Sequence, residues 1–463
     1  MPINRLAESG EGELIVLRRS QVVDYVGEWL PEWSRNRKRV DQLDFWYRGE
    51  QEMPKSGKNP SKEYRTLRRI SLSPHLRLIV NVVAQGLVVD GYRAADAEQN
   101  SAPWEVWQYN GMDARQRRIH RGSLAHSVSY AVSLPGDPLP VIRGVSARRM
   151  IAVYGDAAAD EWPMFALQVD PSGGGHLARL YDDEAVHFVS VESLGAKPEF
   201  IESRVHGSGR VPVVRYCVDL DDDGRTQGEI APYIPLAERI DQTTFDRLVV
   251  QRHASWKVRT IAGMAEPETD DEKRAVERLL EVGDLLVSES PETKFGTLDS
   301  TPLDGYIAAK EADIRELAAV SQTPPVDLLG EIANLSAEAL EAAKDAAQQK
   351  RNEIKLSLGE SHEQLLRLAG AQMGDAEAAL DYSAQVVWRD VGFSSLSREA
   401  DALGKLAQML GVPVQMLWER IPGWTQQDVE RARSMAEDGD SLAQLADMLS
   451  RGSEPADGVY AGG

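Results

Sequence analysis

The densest set of potential metal ligands in the chain is Asp219-Leu220-Asp221-Asp222-Asp223-Gly224. Carboxylates alternate at Asp219, Asp221 and Asp223, and Gly224 follows at the bend, which is how a calcium loop begins. Such a loop closes with a bidentate acid at its twelfth position. Here that position is Ile230, with Glu229 one residue early. No helical pattern precedes the run. It reads first as a solvated acidic turn, with a structural cation site as the sharper alternative. Clustered acids such as Asp221 and Asp223 are also what a metal-dependent nuclease would use.

Other chemistry is hard to find. Gly173-Gly174-Gly175 is not followed by the lysine and helix of a phosphate-binding loop, so it reads as a hairpin turn. The eight histidines are scattered, without the close pairs a zinc site needs. There is no nucleophile elbow, and no local pattern suggests a Ser-His-Asp site. One cysteine, Cys217, excludes an intrachain disulfide framework and a cysteine metal cluster. The ten tryptophans fall mostly in amphipathic contexts, which points to core or subunit interface rather than a ligand cage. Lys55 to Arg69 is basic; it reads as a surface loop leading into a helix, with pairing to an acidic neighbour as the next possibility. No catalytic residue and no cofactor emerge.

Length and charge set the frame. At 463 residues the chain exceeds one core, and roughly two to four domains are expected. The 52 Lys and Arg against 73 Asp and Glu leave a net charge of −21. That argues against a simple nucleic-acid binder, but not against a surface that DNA slides past without sticking. No apolar run approaches a membrane span. Met1-Pro2-Ile3-Asn4-Arg5 lacks the apolar core of a signal peptide.

The elements that position these residues are α+β. Helices are predicted over Val22–Leu43, Trp104–Asn110 and Asp113–Tyr130. Leu76–Val83 is an apolar run, and Gln85–Tyr92 reads as a turn into a strand. Strands follow at 131–134, 141–143, 150–154, 165–169, 178–181, 185–190 and 211–218. A helix from Pro235 to about His253 carries Leu236, Ile240, Thr243 and Val250 on one side and Phe245 and Val249 on nearly the other. A helix apolar on two sides is flanked twice, and neighbours in a ring would supply both contacts. Trp256–Met264 reads as extended, Thr269–Leu280 as a helix and Leu285–Val287 as a strand. A further helix, Leu303–Ala319, is cut at Thr323-Pro324-Pro325. A short apolar loop, Val326–Leu335, then precedes a long alanine-rich helix from Ser336 to about Gly370. Leu340, Ala343, Ala347, Ile354, Leu358 and Leu365 form its apolar stripe, and Gly359 should bend or weaken it. Helices are expected at Ser397–Leu410, Pro413–Arg420, Thr425–Glu437 and Ser441–Leu449, then a disordered Gly- and Ala-rich tail. Two helices joined by a stiff turn and a small loop suggest an assembly component more than an enzyme.

The order of these pieces resembles the portal proteins of tailed bacteriophages, in the branch common in long-tailed phages of actinobacteria. The likeness is carried by Arg77–Val83 followed by Gly86–Arg93, by Asn110–Gln116, by Gly228–Leu236, by Thr323-Pro324-Pro325 and by Leu335–Leu340. It spans about Leu43 to Met435; the ordered set carries it, not any single motif.

The resemblance implies a ring of subunits, usually about twelve, at one capsid vertex, with the genome packaged and ejected through its channel. It implies an N-terminal arm and wing at 1–228, stem helices at 229–254 and 302–325, and a clip at 255–301. A tunnel loop would occupy 326–335, the tunnel helix and the rest of the wing 336–394, the crown 395–450 and a disordered tail 451–463. The tunnel loop would present Leu328, Leu329, Gly330, Glu331, Ile332, Ala333, Asn334 and Leu335 to DNA. Subunit packing would use Leu236, Ile240, Phe245, Val249, Leu340, Ala343, Ala347 and Ile354. Implied partners are further copies of the chain, double-stranded DNA, the large terminase subunit, a head-completion or neck connector, and the major capsid and scaffolding proteins, with no membrane. Assembly in the host cytoplasm would place the product in the virion. Another virion connector or scaffold is the structural alternative.

Overall fold

The computed structural model describes residues 17–55, 60–94, 100–254, 259–262, 285–288, 302–330, 337–389, 396–421, 424 and 427–436. The chain divides into two compact units. One comprises residues 1–40, 81–228 and 349–463, the other 41–80 and 229–348.

In chain order, α1 spans Arg19–Arg48 and tolerates Pro31 in its interior. Helix α2 is Lys62–Ile70, and Ser61 caps it by accepting the Tyr64 N–H at 3.3 Å. Helix α3 is His75–Gln85 and strand β1 is Val89–Arg93. Helix α4, Pro103–Tyr109, starts with a proline, whose missing N–H is not needed in the first turn. Helix α5 covers Met112–His126. The expected helix to Tyr130 is therefore too long. Ser127 adopts φ 70°, a left-handed turn that ends the helix, and the alternating apolar residues after it join a strand.

Strands β2 (Ser129–Leu134), β3 (Val141–Ser146), β4 (Met150–Val153), β5 (Phe165–Ser172), β6 (Gly175–Tyr181), β7 (Ala185–Val191), β8 (Glu199–Val205) and β9 (Val213–Tyr216) follow. The short strands β10 (Asp219–Leu220) and β11 (Thr226–Gln227) come next, then helix α6 (Ile234–Ala254). Strands β12 (Arg259–Ala262) and β13 (Leu285–Ser288) pair in parallel. Helices at Asp304–Val320, Pro325–Leu329 and Ala337–Met373 precede β14 (Gln385–Trp388). Helices Leu396–Leu410 and Val414–Leu417 and a helical segment at 427–436 complete the described chain. The expected helices at 269–280 and 441–449 and the tail from 451 lie outside the described residues.

The larger unit is built on two antiparallel sheets, ordered β4-β5-β6-β7-β8 and β3-β2-β9. Val22, Val26, Leu30 and Trp33 repeat at helical spacing along α1 and bury against Phe165, Leu167, Leu180 and Val189 of the larger sheet. A second core joins Val40 to Tyr130, Val132, Met150, Tyr181 and Val213. Strand β14 pairs antiparallel with β1, a contact across some 300 residues of chain. The long helix, from Gln349 onward, belongs to this unit. Its backbone stays helical through Gly359, contrary to the expected weakening, and that glycine lies against Val386 and Trp388 of β14. From Ser361 to Gly370 every residue is buried, so this stretch is enclosed on all sides rather than along one stripe.

In the other unit, α6 buries Ala237, Ile240, Asp241, Thr244 and Phe245 on one continuous face. Helix Asp304–Val320 packs against it. Arg239 bridges to Asp313 at 3.0 Å and to Glu316 on that helix. Helix α2 packs on another flank, with the rings of Tyr64 and Phe245 6.5 Å apart and Arg252 3.1 Å from Glu63. The two-sided helix read from the sequence is thus flanked twice by helices of its own chain.

Candidate functional site

The acidic turn is a β-hairpin turn. Strands β10 and β11 pair Asp219 with Gln227 and Leu220 with Thr226. Asp221 accepts the Arg225 N–H at 2.7 Å, and the Arg225 guanidinium lies 3.1 Å from Asp223. These carboxylates are aimed at a local cation and N–H rather than at one point. Among the described residues no group of three or more His, Cys, Asp or Glu is arranged to hold a metal ion.

The apolar loop expected from Val326 begins as a helix, Pro325–Leu329, because Pro325 suits a first turn and Gly330 closes the last one at φ 69°. Leu328 is buried within the chain, Leu329 is half-buried and Gly330 is exposed. Glu331, Ile332, Ala333, Asn334 and Leu335 lie outside the described residues. Among the proposed packing residues, Ile240, Phe245, Ala347 and Ile354 are buried inside the subunit itself. Leu236 and Val249 are half-buried. Leu340 and Ala343 lie on the long helix, which begins at Ala337.

Two polar clusters were not visible in the sequence. In the first, His120 of α5 and His362 of the long helix face each other, Nε2 to Nε2, at 2.7 Å. His120 Nδ1 lies 3.2 Å from the Leu87 carbonyl, and the Tyr216 hydroxyl 3.0 Å from His362 Nδ1. A carbonyl only accepts, so His120 must donate from Nδ1 and, when neutral, accept at Nε2. His362 then donates from Nε2 and accepts the Tyr216 hydroxyl proton at Nδ1. One direction of donation satisfies all four groups with both rings neutral. Burial pushes His120 down to about 4, partly opposed by the Leu87 carbonyl. Burial, then His120, holds His362 well below the usual range, and burial raises Tyr216. The rings of Trp107 and Trp388 close the cluster. It joins α5, β9 and the long helix.

In the second cluster, His187 Nε2 lies 2.9 Å from Asp182 Oδ2 and its Nδ1 2.6 Å from the Ser203 hydroxyl. Burial alone would raise the Asp182 carboxyl. The His187 bond and the N–H groups of Ala185 and Glu184 outweigh it and hold the group low. The imidazole donates to Asp182 and accepts from Ser203, the polarity of a nucleophile relay. A relay also needs a substrate cavity and oxyanion donors. His187 and Ser203 are instead direct cross-strand partners of β7 and β8, and neither cavity described below touches them. The trio locks an edge strand.

A cavity of about 460 Å³ in the larger unit is lined by Tyr154, Asp160, Arg215, Cys217, Ser361 and Arg367, among others. Its two arginines are already engaged. Arg215 stacks 4.2 Å from the Tyr154 ring and donates to the Ala157 carbonyl; Arg367 stacks 4.5 Å from Tyr382 and pairs with Glu161. Burial raises the Cys217 thiol, which disfavours the nucleophilic thiolate. A smaller cavity in the other unit lies between Tyr233, Leu236, Arg239, Glu316 and Val320.

Comparison with known families supplies the decisive observation: the family of phage portal proteins of the SPP1 Gp6-like type matches residues 28–442. The chain belongs to this phage portal family. The match begins ahead of Leu43 and ends beyond Met435, so it takes in more of α1 than the resemblance read from the sequence. The portal family is structural rather than enzymatic, and this portal protein is a virion component. Among solved structures, a chain from the neck of a native GTA particle, computed with C12 symmetry, is similar at 13% identity with a TM-score of 0.39. The similarity covers 78% of the present chain and 91% of that one. No curated protein matches the chain.

Proposed function

We propose that copies of the chain stand side by side in a ring, as a dodecamer, around a channel that conducts double-stranded DNA at one capsid vertex. The observation that carries this is the portal-family match over residues 28–442. Charge is compatible with it: a channel subunit with net charge −21 repels phosphate, so DNA passes without adhering.

In this reading residues 1–228, completed by β14, form the arm and wing, while α6 and Asp304–Val320 are the stem helices. Residues 255–301 form the clip that meets the large terminase subunit and later the neck connector. The helices after Leu396 form the crown. Major capsid and scaffolding proteins surround the ring, which assembles in the host cytoplasm. Leu328 anchors the tunnel loop from inside the subunit, and Leu329 to Leu335 face DNA. ATP hydrolysis belongs to the docked terminase.

Deletion of Ile332–Asn334 in a complementation assay tests the conduit. Proheads should assemble with normal amounts of the chain but hold much less packaged DNA. Normal packaging by that deletion would remove the loop's role, and normal packaging without the chain would remove the function.

A further inference from the structure

Helix α2 is a positive island on an acidic chain. Four of its nine residues are Lys or Arg and one is Glu. Tyr64 and Leu67 turn inward, and Arg68 donates to the Pro54 carbonyl at 2.6 Å. Lys62, Arg65 and Arg69 are exposed, and none has a side-chain hydrogen bond or ion pair among the described residues. At helical geometry they fall within about 60° of one another. Ile70, 55% exposed, lies well off this face, on the side of Glu63.

The long helix carries a complementary face. Asp345, Glu353 and Glu360 are exposed and have no hydrogen bond or ion pair among the described residues. They fall within about 80° of one another, and Leu356 lies between them. Leu356 is 74% exposed on this half-solvated stretch of the helix. Glu353 and Glu360 are seven residues apart, as are Lys62 and Arg69, a rise of about 10 Å on each helix.

We infer that the basic face of α2 docks on the acidic face of the long helix of a second copy. The inference rests on the ring reading above and names one contact within it. Subunits of net charge −21 repel, so a ring of them needs complementary patches where they touch. The acidic face also places an exposed leucine, Leu356, among its charges, which suits a protein surface better than a phosphate backbone. Three cations over two turns are also few against the six to ten or so phosphate contacts of a strong DNA binder.

The test compares full-length variants by native mass measurement and negative-stain microscopy, with circular dichroism and thermal melts to show that each folds. Lys62→Glu with Arg65→Glu and Arg69→Glu should reduce ring formation, by about tenfold or more per interface from the lost pairs alone. Asp345→Lys with Glu353→Lys and Glu360→Lys should do the same. Mixing the two variants matches every interface of a ring in which they alternate, and carrying both sets on one chain matches every interface of a ring of identical copies; both should restore rings. Wild-type rings should also weaken as salt rises. Folded single-set variants that assemble like wild type overturn the inference. So does failure of the combined variant to recover while both single sets remain folded. If the α2 reversal spares rings but lowers DNA retention, α2 is a nucleic-acid contact instead. If wild type itself forms no ring, alone or in proheads, the ring reading has failed and the contact falls with it.

Discussion

His120 and His362 face each other nitrogen to nitrogen at 2.7 Å, although 242 residues separate them in the chain. With both rings neutral, the hydroxyl of Tyr216, the two imidazoles and the Leu87 carbonyl form one chain of donors and acceptors. This chain holds the fully enclosed stretch of the long helix to α5 and β9.

Removing either histidine leaves the other with a buried unsatisfied nitrogen. His120→Leu and His362→Leu should each cost about 2 kcal/mol or more, while the double variant should cost clearly less than the sum. Urea unfolding of all four proteins measures the coupling. Additive losses would show that the two rings do not depend on each other.

Acid should weaken the fold in a defined window. His120 titrates near 4 when folded, and His362 is also held well below its ordinary value. Unfolded histidine takes up its proton near 6.5, so this stability is complete above 6.5 and declines as pH falls towards 4. Asp241 acts in the opposite sense. Burial raises it to about 6, despite hydrogen bonds from Gln51 and the Ser73 N–H. Its contribution is complete below about 3.8 and declines as pH rises through 6. The stability difference between wild type and Asp241→Asn should therefore shift against wild type between pH 4 and 6. Urea midpoints across pH 4.5 to 7 read both effects, and a flat difference would contradict the Asp241 assignment.

Gly228 sits where a side chain cannot. An added Cβ would lie 2.5 Å from the Leu124 carbonyl oxygen and 2.9 Å from the Ser127 nitrogen, both backbone atoms. Gly228→Ala should cost on the order of 2–4 kcal/mol and lower Tm by several degrees. An unchanged Tm would mean that the α5–β2 turn does not pack here.

Much of the fold was legible in the sequence, and the exceptions share physical causes. Helix α1, read over Val22–Leu43, and strands β2 to β7 were read close to where they lie. Strand β8 was not, because six of its seven residues are exposed and no inside–outside alternation marks it. Helix α5 was read four residues too long because Val128 and Tyr130 fit either period until Ser127 turns the chain. Leu358 and Leu365 marked one face of the long helix, but Ser361, His362, Gln364 and Arg367 look solvent-facing. Their burial depends on partners contributed by distant strands and loops, such as Tyr216, the Arg215 carbonyl and Glu161. His187 and Ser203 became neighbours only through strand pairing. The family likeness was legible in the order of several short passages rather than in any single site.

Ala347, 6% exposed, lies on the buried side of the long helix. Ala347→Glu forces a carboxylate into that packing and should lower ring yield and soluble expression together. The Ile354→Val variant, which keeps the surface apolar, should cost only about 1 kcal/mol and leave ring yield intact. Normal yield from Ala347→Glu would show that this part of the helix is not packed.

The most direct test of the central claim is particle imaging of the purified full-length chain and of proheads that contain it. Class averages should show a closed annulus with an open centre wide enough for a DNA duplex, and native mass should give an integral number of copies, twelve. Only monomers or irregular aggregates in solution, together with proheads that lack such a ring at one vertex, would contradict it.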